Sequence, residues 1–541
     1  AYVRDRNIWV QQVDGRGLLR ITDDPAADND PEFSPDGMQI AFRSERAGGG
    51  IYVAPVLGGE ARLLVPQGRR PRFSPDGRRI MYWIPKDTAD PYGERLFVQP
   101  LPGGAPTQVG ANCGVVARTA VWSPDGKRIL FVGECDRNGP AAWVSSFDGK
   151  DLKPNHDLYA LWHIRSRPLI DQWIADPPRL LMPLSVADAT YITAVPISTD
   201  ATRVIGTPQR LTSLTENVTR VSAALNGRMA LSVSAKTAQI WDLPIDKKGR
   251  ATSEPKQITY GSAVEGAPAL SRDGQKLAFT SMRVNGRLVY KDLATGRVRE
   301  LSTDAYDYTN PIFNPDGSGI MCSQRPDPRD QHVLMYYVPL SGGLSRKIWD
   351  ASYWSAQWDW SPDGKTVLFF TSGDPHKLRF GVVRQLDLDS RTATTLLDDP
   401  DFDAWQAHFS HDGRWVTFSA TKDFKSPRIY VVPFRKALLP RSEWIAITGG
   451  GSDDKPRFSF DDKVIFFRSD RDGSRRLWAQ RLSGDMRPDG APFAVYPLGQ
   501  GNRGPIVSDD EIGVGPQRIV FTQVEAVSNI WLLEPATMGE R

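Results

Sequence analysis

The 541-residue chain is short of the residue types that most chemistry relies on. It has three cysteines and six histidines. No stretch approaches the roughly 18 uninterrupted apolar residues of a membrane-spanning helix. Neither sign of charge prevails, since 67 Lys and Arg face 64 Asp and Glu for a net +3. Without a long basic run, the broad positive face of a nucleic-acid-binding protein is excluded. No Gly-x-Ser-x-Gly elbow occurs, which excludes an α/β-hydrolase peptidase domain. A Gly-rich loop with its Lys and a His-Arg-Asp loop are absent too, which excludes a kinase. So is His-Glu-x-x-His, the zinc-protease pattern. These exclusions hold for this chain and leave a longer parent open. The sequence opens at Ala1 with neither a starting Met nor a hydrophobic targeting stretch, as expected of a processed protein or a piece of a longer one.

What the chain has in plenty is turns and aromatics: 47 Gly, 42 Pro and 16 Trp. Such a composition suits an all-β protein of short strands. Its length fits two domains of about 270 residues each. A phrase recurs at Phe33-Ser-Pro-Asp-Gly37, Phe73-Ser-Pro-Asp-Gly77, Trp122-Ser-Pro-Asp-Gly126, Phe313-Asn-Pro-Asp-Gly317 and Trp360-Ser-Pro-Asp-Gly364. Altered copies stand at Leu270-Ser-Arg-Asp-Gly274, Phe409-Ser-His-Asp-Gly413 and Phe458-Ser-Phe-Asp-Asp462. After each copy comes an alternating strand such as Gln39-Ile-Ala-Phe-Arg43, one face inward and one outward. The Asp-Gly pair supplies the positive φ of a tight hairpin between a first and a second strand. A third strand follows, as in Gly50-Ile-Tyr-Val-Ala54, and a fourth, as in Ala61-Arg-Leu-Leu-Val65. Four antiparallel strands per unit of about 45 residues describe a propeller blade.

Less regular units fill residues 168–212 and 219–259, and one more spans 518–533. The N-terminal unit begins with its second strand, at Tyr2-Val-Arg4. The expected fold is therefore a tandem β-propeller of two six-bladed rings of four-stranded antiparallel blades. The expected domains are 1–261, degenerate at 150–215, and 262–541; seven blades plus five is the other division. The incomplete first blade predicts an exchanged strand, donated from near the domain boundary or from the tail after Glu534.

The Phe-Ser-Pro-Asp-Gly phrase with its Ile-Ala-Phe and Ile-Tyr-Val strands resembles the TolB-like, WD-repeat-like propeller repeat over nearly the whole chain. Asn7-Ile-Trp-Val-Gln-Gln-Val13, Ala41-Phe-Arg-Ser-Glu-Arg46, Gly49-Gly-Ile-Tyr-Val53 and Asn529-Ile-Trp-Leu-Leu-Glu534 are similar to propeller regions of acidobacterial-type proteins. This resemblance implies six-bladed rings, a periplasmic or extracellular setting and partner binding across a ring face. TolB's partner-contacting residues find no match here, so none is carried over.

Candidate sites are few, and none is catalytic or cofactor-binding. His408 falls on a strand and His411 takes the Pro place of a turn; His156 and His163 flank Trp162 in the degenerate blade. Packing and turn roles are the expected reading of both pairs, with a metal role as the alternative. Asp399-Pro-Asp401-Phe-Asp403 alternates carboxylates like a calcium loop, but Ala404 replaces the required Gly and Ser410 the closing Glu. The similar loop at Asp23, Asp24, Asp28, Asn29 and Asp30 favours turn capping. Trp349, Trp354, Trp358 and Trp360 crowd one blade; Trp354 and Trp358 are the candidates for a binding face, with core packing as the alternative. Cys113 and Cys135 sum to 248, near the 251 expected for facing positions in the hairpin that turns at Asp125 and Gly126. A disulfide between them, with Cys322 free and buried, is the expectation, against three unrelated thiols. The expected function is a non-catalytic scaffold or sensor that binds other proteins, itself included through strand exchange, without nucleic acid and without a bound cofactor. The alternatives are a self-assembling surface or filament subunit and a propeller-fold lyase or glycosidase.

Overall fold

The computed structural model describes residues 1–541 apart from 86–93, 112, 136–140, 162–168, 187–188, 213–216, 225, 262, 283–285, 303–306, 326–332, 352–354, 372–380, 423–425, 474, 497–509 and 535–541. Strands make up 57% and helix 2%. The chain forms two compact units: Ala1–Ala235 with Ser528–Arg541, and Lys236–Val527.

The second unit shows the ring directly. Five consecutive four-stranded antiparallel meanders run from Val264 to Ala494, each in the order first, second, third, fourth strand. The sixth sheet is a composite. Gly513–Gly515 and the first part of Arg518–Leu533 supply its inner strands; the second part of Met229–Pro244 and Lys256–Gln257 supply its outer ones. The first strands Val264–Leu270, Asp307–Phe313, Ser355–Trp360, Asp403–Phe409 and Asp453–Phe458 pack in succession. Gly513–Gly515 then packs back against Val264–Leu270, so the circle closes on six blades.

The first unit opens with the three-stranded sheet Tyr2–Arg4, Asn7–Val10 and Leu19–Arg20. Blades beginning at Asp28–Phe33, Arg69–Phe73, Gly114–Trp122 and Gln172–Ile174 follow. The last sheet joins Asn217–Ala223, the first part of Met229–Pro244 and the chain's end at 528–533.

Two expectations are corrected here. The first domain does not run to residue 261: residues 236–261 form the outer strands of the second unit's composite blade, while 528–541 group with the first unit. The exchanged strand also lies before Glu534 and completes the first unit's last sheet, not its first blade; residues 535–541 lie outside the described residues. The physical reason is that a ring is closed most firmly by pairing strands from distant parts of the chain, and a blade edge left open at either end must be covered.

Cores lie between neighbouring blades. In the second unit Trp444 meets Phe418 edge-on at 4.7 Å and Tyr430 at a tilt, while Phe418 and Tyr430 stack. Phe466 and Phe521 are fully buried where the fifth blade meets the composite one. Among the described residues, one form of buried ion pair stands in both units. Arg46 Nη2 donates to both oxygens of fully buried Asp28 at 3.2 and 3.0 Å, and Arg471 Nη2 does so to Asp453 at 2.8 and 3.0 Å. Each guanidinium also lies over aromatic rings: Phe42 and Tyr52 for Arg46, Phe467 and Trp478 for Arg471.

Candidate functional site: the channel of the second propeller

The repeated phrase builds the rim of the channel. In Ser361-Pro-Asp-Gly364, Ser361 Oγ donates to Asp363 Oδ1 at 2.5 Å, and the same oxygen of Asp363 accepts the Lys365 amide at 3.1 Å. Ser361 Oγ in turn accepts the Thr366 amide at 2.9 Å, which starts the second strand. Gly364 turns the chain at φ +74°. The same bonds recur at Ser34, Ser74, Ser271 and Ser410. Asn314 replaces the serine with its amide, donating to Asp316 and accepting the Gly319 amide.

Three residues before the phrase's aromatic, a non-glycine residue takes left-handed backbone: Asp30, Arg70, Ala267, Asn310, Gln406 and Lys455, all with φ between +47° and +57°. Each marks a β-bulge where the ladder loses register. After the bulge, the residue just before the aromatic lines the channel. In the second unit these are Ala269, Ile312, Asp359, His408 and Arg457, all on the wall of a funnel of about 150 Å³. Its wall is divided. One arc carries Leu270, Ile312, Phe313, Ile512 and Val514; the other carries Asp359, His408 and Arg457.

Behind the charged arc lie Lys455 and Glu511. His408 is 1% exposed, with Nδ1 3.8 Å from Asp359 Oδ2 and Nε2 3.6 Å from Glu511 Oε2. Arg457 reaches Asp359 at 3.7 Å and Glu511 at 3.5 Å, and Lys455 Nζ lies 3.6 Å from Glu511 Oε1. These separations allow attraction but are too long for hydrogen bonds. Among the described residues, both His408 nitrogens, both Glu511 carboxylate oxygens and Arg457 Nε have no hydrogen-bond partner. Burial alone would raise Glu511, but Lys455, His408 and Arg457 outweigh it and hold the carboxyl well below its ordinary value. Asp359 is lowered in the same way, burial being overcome by His408 and Arg457. Asp359 also accepts the Phe409 amide of the next blade at 2.7 Å. Lys455 and Arg457 occupy the places a cation would take, and the described residues hold no grouping suited to a metal ion.

At the mouth, Arg272 Nη2 of the first blade donates to the His411 carbonyl at 2.9 Å. Asp462 holds the His411 turn by accepting the His411 and Asp412 amides at 2.7 and 3.0 Å. The first unit's channel is built otherwise, with direct pairs: Arg72 to Glu32 at 3.0 Å and Arg220 to Asp171 at 2.9 Å. Burial, together with Arg220 and Arg72, lowers Arg70 there to about 10.

The site residues expected from sequence fall elsewhere. Cys113 and Cys135 are bonded, with S–S 2.06 Å, and Cys322 is free and buried. Trp354 and the side chain of Trp358 lie outside the described residues, whereas Trp349 and Trp360 pack in the core beside Met321 and Phe369. His156 opens the short helix His156–Leu161, and His163 lies outside the described residues. Asp399 Oδ1 accepts the Asp401 amide at 2.9 Å and Asp403 Oδ1 the Gly381 amide at 3.0 Å, so both carboxylates cap backbone. Of the histidine and tryptophan candidates among the described residues, His408, His411 and Trp360 line the funnel. Asp359, Arg457, Lys455 and Glu511 were not anticipated. Aligning the copies of the phrase would have exposed two of them, because Asp359 and Arg457 put charge on an inner strand just before the aromatic.

No family model matches the chain. Over 83 residues it is 37% identical to the uncharacterized peptidase YuxL of Bacillus subtilis, covering 14% of this chain and 13% of that protein. Over 69 residues it is 36% identical to Tricorn protease homolog 1 of Streptomyces coelicolor, covering 13% of this chain and 6% of that one. The chain thus matches well under a fifth of the length of these curated relatives. Among solved structures it is similar to a TolB-assigned protein of Agrobacterium tumefaciens, at 21% identity and TM-score 0.43, covering 54% of this chain and 99% of that one. It is also similar to an oligogalacturonate lyase from Vibrio parahaemolyticus, at 13% identity and TM-score 0.27, covering 81% of this chain and 97% of that one. By its own strand order, the chain is a tandem β-propeller, and its repeated phrase resembles the TolB-like repeat.

Proposed function

We propose that the chain is a non-catalytic binding protein of an extracytoplasmic compartment, a protein-binding scaffold or sensor whose recognition point is the funnel of the second propeller. The observation that carries this reading is His408, which lines the funnel between Asp359 and Arg457 with neither nitrogen hydrogen-bonded. Buried polar atoms without partners are costly, and a bound group would supply what they lack. Carboxylate-driven hydrolysis needs one carboxyl held protonated as the acid. Asp359 and Glu511 are both held ionised, an arrangement suited to orienting a ligand and poorly suited to donating a carboxylic proton. The Cys113–Cys135 bond supports a periplasmic or extracellular setting, where disulfides persist. The test is incubation of the purified protein with oligogalacturonate and peptide panels while binding is followed by calorimetry. Saturable binding without turnover supports the reading; turnover that disappears in D359N or E511Q overturns it.

Self-assembly is favoured by one separate observation. Ile530, Trp531, Leu532 and Leu533 are consecutive and 36–51% exposed, and Phe33 is 39% exposed where Phe73 is 8%. Such a strand resembles an edge on which a second copy could pair. Light scattering decides: a monomer at all concentrations would end this second reading.

A further inference from the structure

Taking the chain as a protein-binding module, we infer that a basin beside the funnel of the second propeller receives an acidic peptide segment of a partner, carboxylates flanking one apolar side chain. The third place of the repeated phrase is proline at Pro35, Pro75, Pro124, Pro315 and Pro362. In the second unit Arg272, His411 and Phe460 replace it, and these three line one open basin of about 530 Å³, while Pro315 and Pro362 do not. The fifth place, otherwise glycine, is Asp462, on the same wall. Asp462 holds left-handed backbone at φ +58°, which glycine takes more cheaply, and its carboxylate accepts the His411 and Asp412 amides. The departures from the repeat thus gather at one place. Arg272 and His411 also belong to the funnel's wall, so the two spaces adjoin.

The acids of the basin are engaged and two of its bases are not. Asp412 accepts the Ser410 hydroxyl at 2.7 Å, the Arg414 amide at 2.9 Å and Arg414 Nε at 2.7 Å. Asp461 accepts the Ser459 hydroxyl at 2.7 Å and the Lys463 amide at 3.4 Å. Among the described residues neither Arg272 nor Lys463 has a carboxylate partner. Arg272 uses one of its five N–H donors, on the His411 carbonyl. Phe460 lies against His411, ring centroids 5.0 Å apart, and is still 46% exposed, a face that can anchor an apolar side chain. Leu482 and Met486 add to that apolar side. Two bare cations beside an exposed ring suit a ligand with few, placed carboxylates. A polymer charged at every unit would also meet Asp412, Asp461 and Asp462.

The test is fluorescence anisotropy on the full chain at neutral pH and low salt. The probe is a fluorescein-labelled, C-terminally amidated peptide, Gly-Glu-Gly-Phe-Gly-Asp-Gly. Its controls carry lysine for both acids, or alanine for phenylalanine. The acidic peptide should bind saturably, and both controls about tenfold weaker or worse. K463A and F460A should each weaken it about fivefold at an unchanged melting temperature, and K248A, a cation outside the basin, should not. No saturable binding up to about 1 mM, or equal binding of the lysine form, overturns the inference and leaves the funnel untouched. Oligogalacturonate that competes at equal affinity overturns it in favour of an acidic sugar. Binding that D359N removes and K463A spares would keep the funnel as the recognition point and remove the basin. Cleavage of a peptide whose binding K463A weakens would overturn the non-catalytic reading and keep the basin.

Discussion

The Arg272 guanidinium donates to the main-chain oxygen of His411 at 2.9 Å, although the two residues belong to blades on opposite sides of a six-membered ring. Arg272 stands where other copies of the phrase have proline, so one altered copy supplies a bar across the channel. Replacing it should open the mouth without disturbing the blades. We expect R272A to change stability by no more than about 1 kcal/mol, because the contact is exposed. Exchange of the funnel amides, Phe409 among them, should become faster. Unchanged protection measured by hydrogen exchange would show that Arg272 bars nothing.

The aspartates of the Ser-x-Asp turns set the acid limit of the fold. Asp36, Asp76, Asp273 and Asp363 are lowered, first by the serine hydroxyl that donates to each. Asp200 in the degenerate blade is lowered to about 2 by Ser198 in the same way. A carboxyl lowered by folding contributes stability that is fully present above its unfolded value, near 3.9, and is lost as pH falls through the folded one. Melting temperature should therefore be insensitive to these groups down to about pH 5 and fall steeply towards pH 2. D363N should flatten part of that acid slope. A melting temperature that declines from pH 7 to 5 with the same steepness would contradict the assignment.

Thiol counting tests the hairpin. The denatured, unreduced protein should show one reactive thiol, Cys322, since Cys113 and Cys135 are bonded. Three thiols would refute the bond. Reduction should lower stability by about 3 kcal/mol, the value expected for a closed loop of this length.

The buried pair Asp453–Arg471 holds the first strand of its blade to the end of the second. D453A strands a guanidinium that is mostly buried, and should cost about 3 kcal/mol or more in urea unfolding. The double replacement D453A/R471A should cost less than the sum of the two single ones. Strict additivity would mean the pair does not act as a unit.

Much of this was legible from residues alone. Asp36-Gly37 and its counterparts announced a turn because few other pairs accept left-handed backbone so cheaply, and every such glycine sits near φ +70°. Cys113 and Cys135 could be paired by hairpin register because facing residues in a hairpin keep a constant sum. The bulge residues could not be read, since Arg70, Gln406 and Lys455 adopt a conformation that their side chains do not advertise. Glu511 was hidden for another reason: its approach to His408 depends on ring closure, which brings together residues about a hundred positions apart. The crossing at Ala235 was missed because residues 219–259 read as one blade with two short strands, whereas in the structure Met229–Pro244 is one long strand that passes from one unit to the other.

The residues at 528–533 count with the first unit although they follow the whole of the second. The second propeller is thus an insertion within the first, entered at Lys236 and left at Val527. On the ribosome neither ring can be completed early: the inserted one waits for residues 513–527, and the host ring waits longer still. The first 235 residues must persist unfinished while nearly 300 more are made. No single cut separates two whole propellers, because any break between 236 and 527 deprives the host of its final strand and the insert of part of its circle.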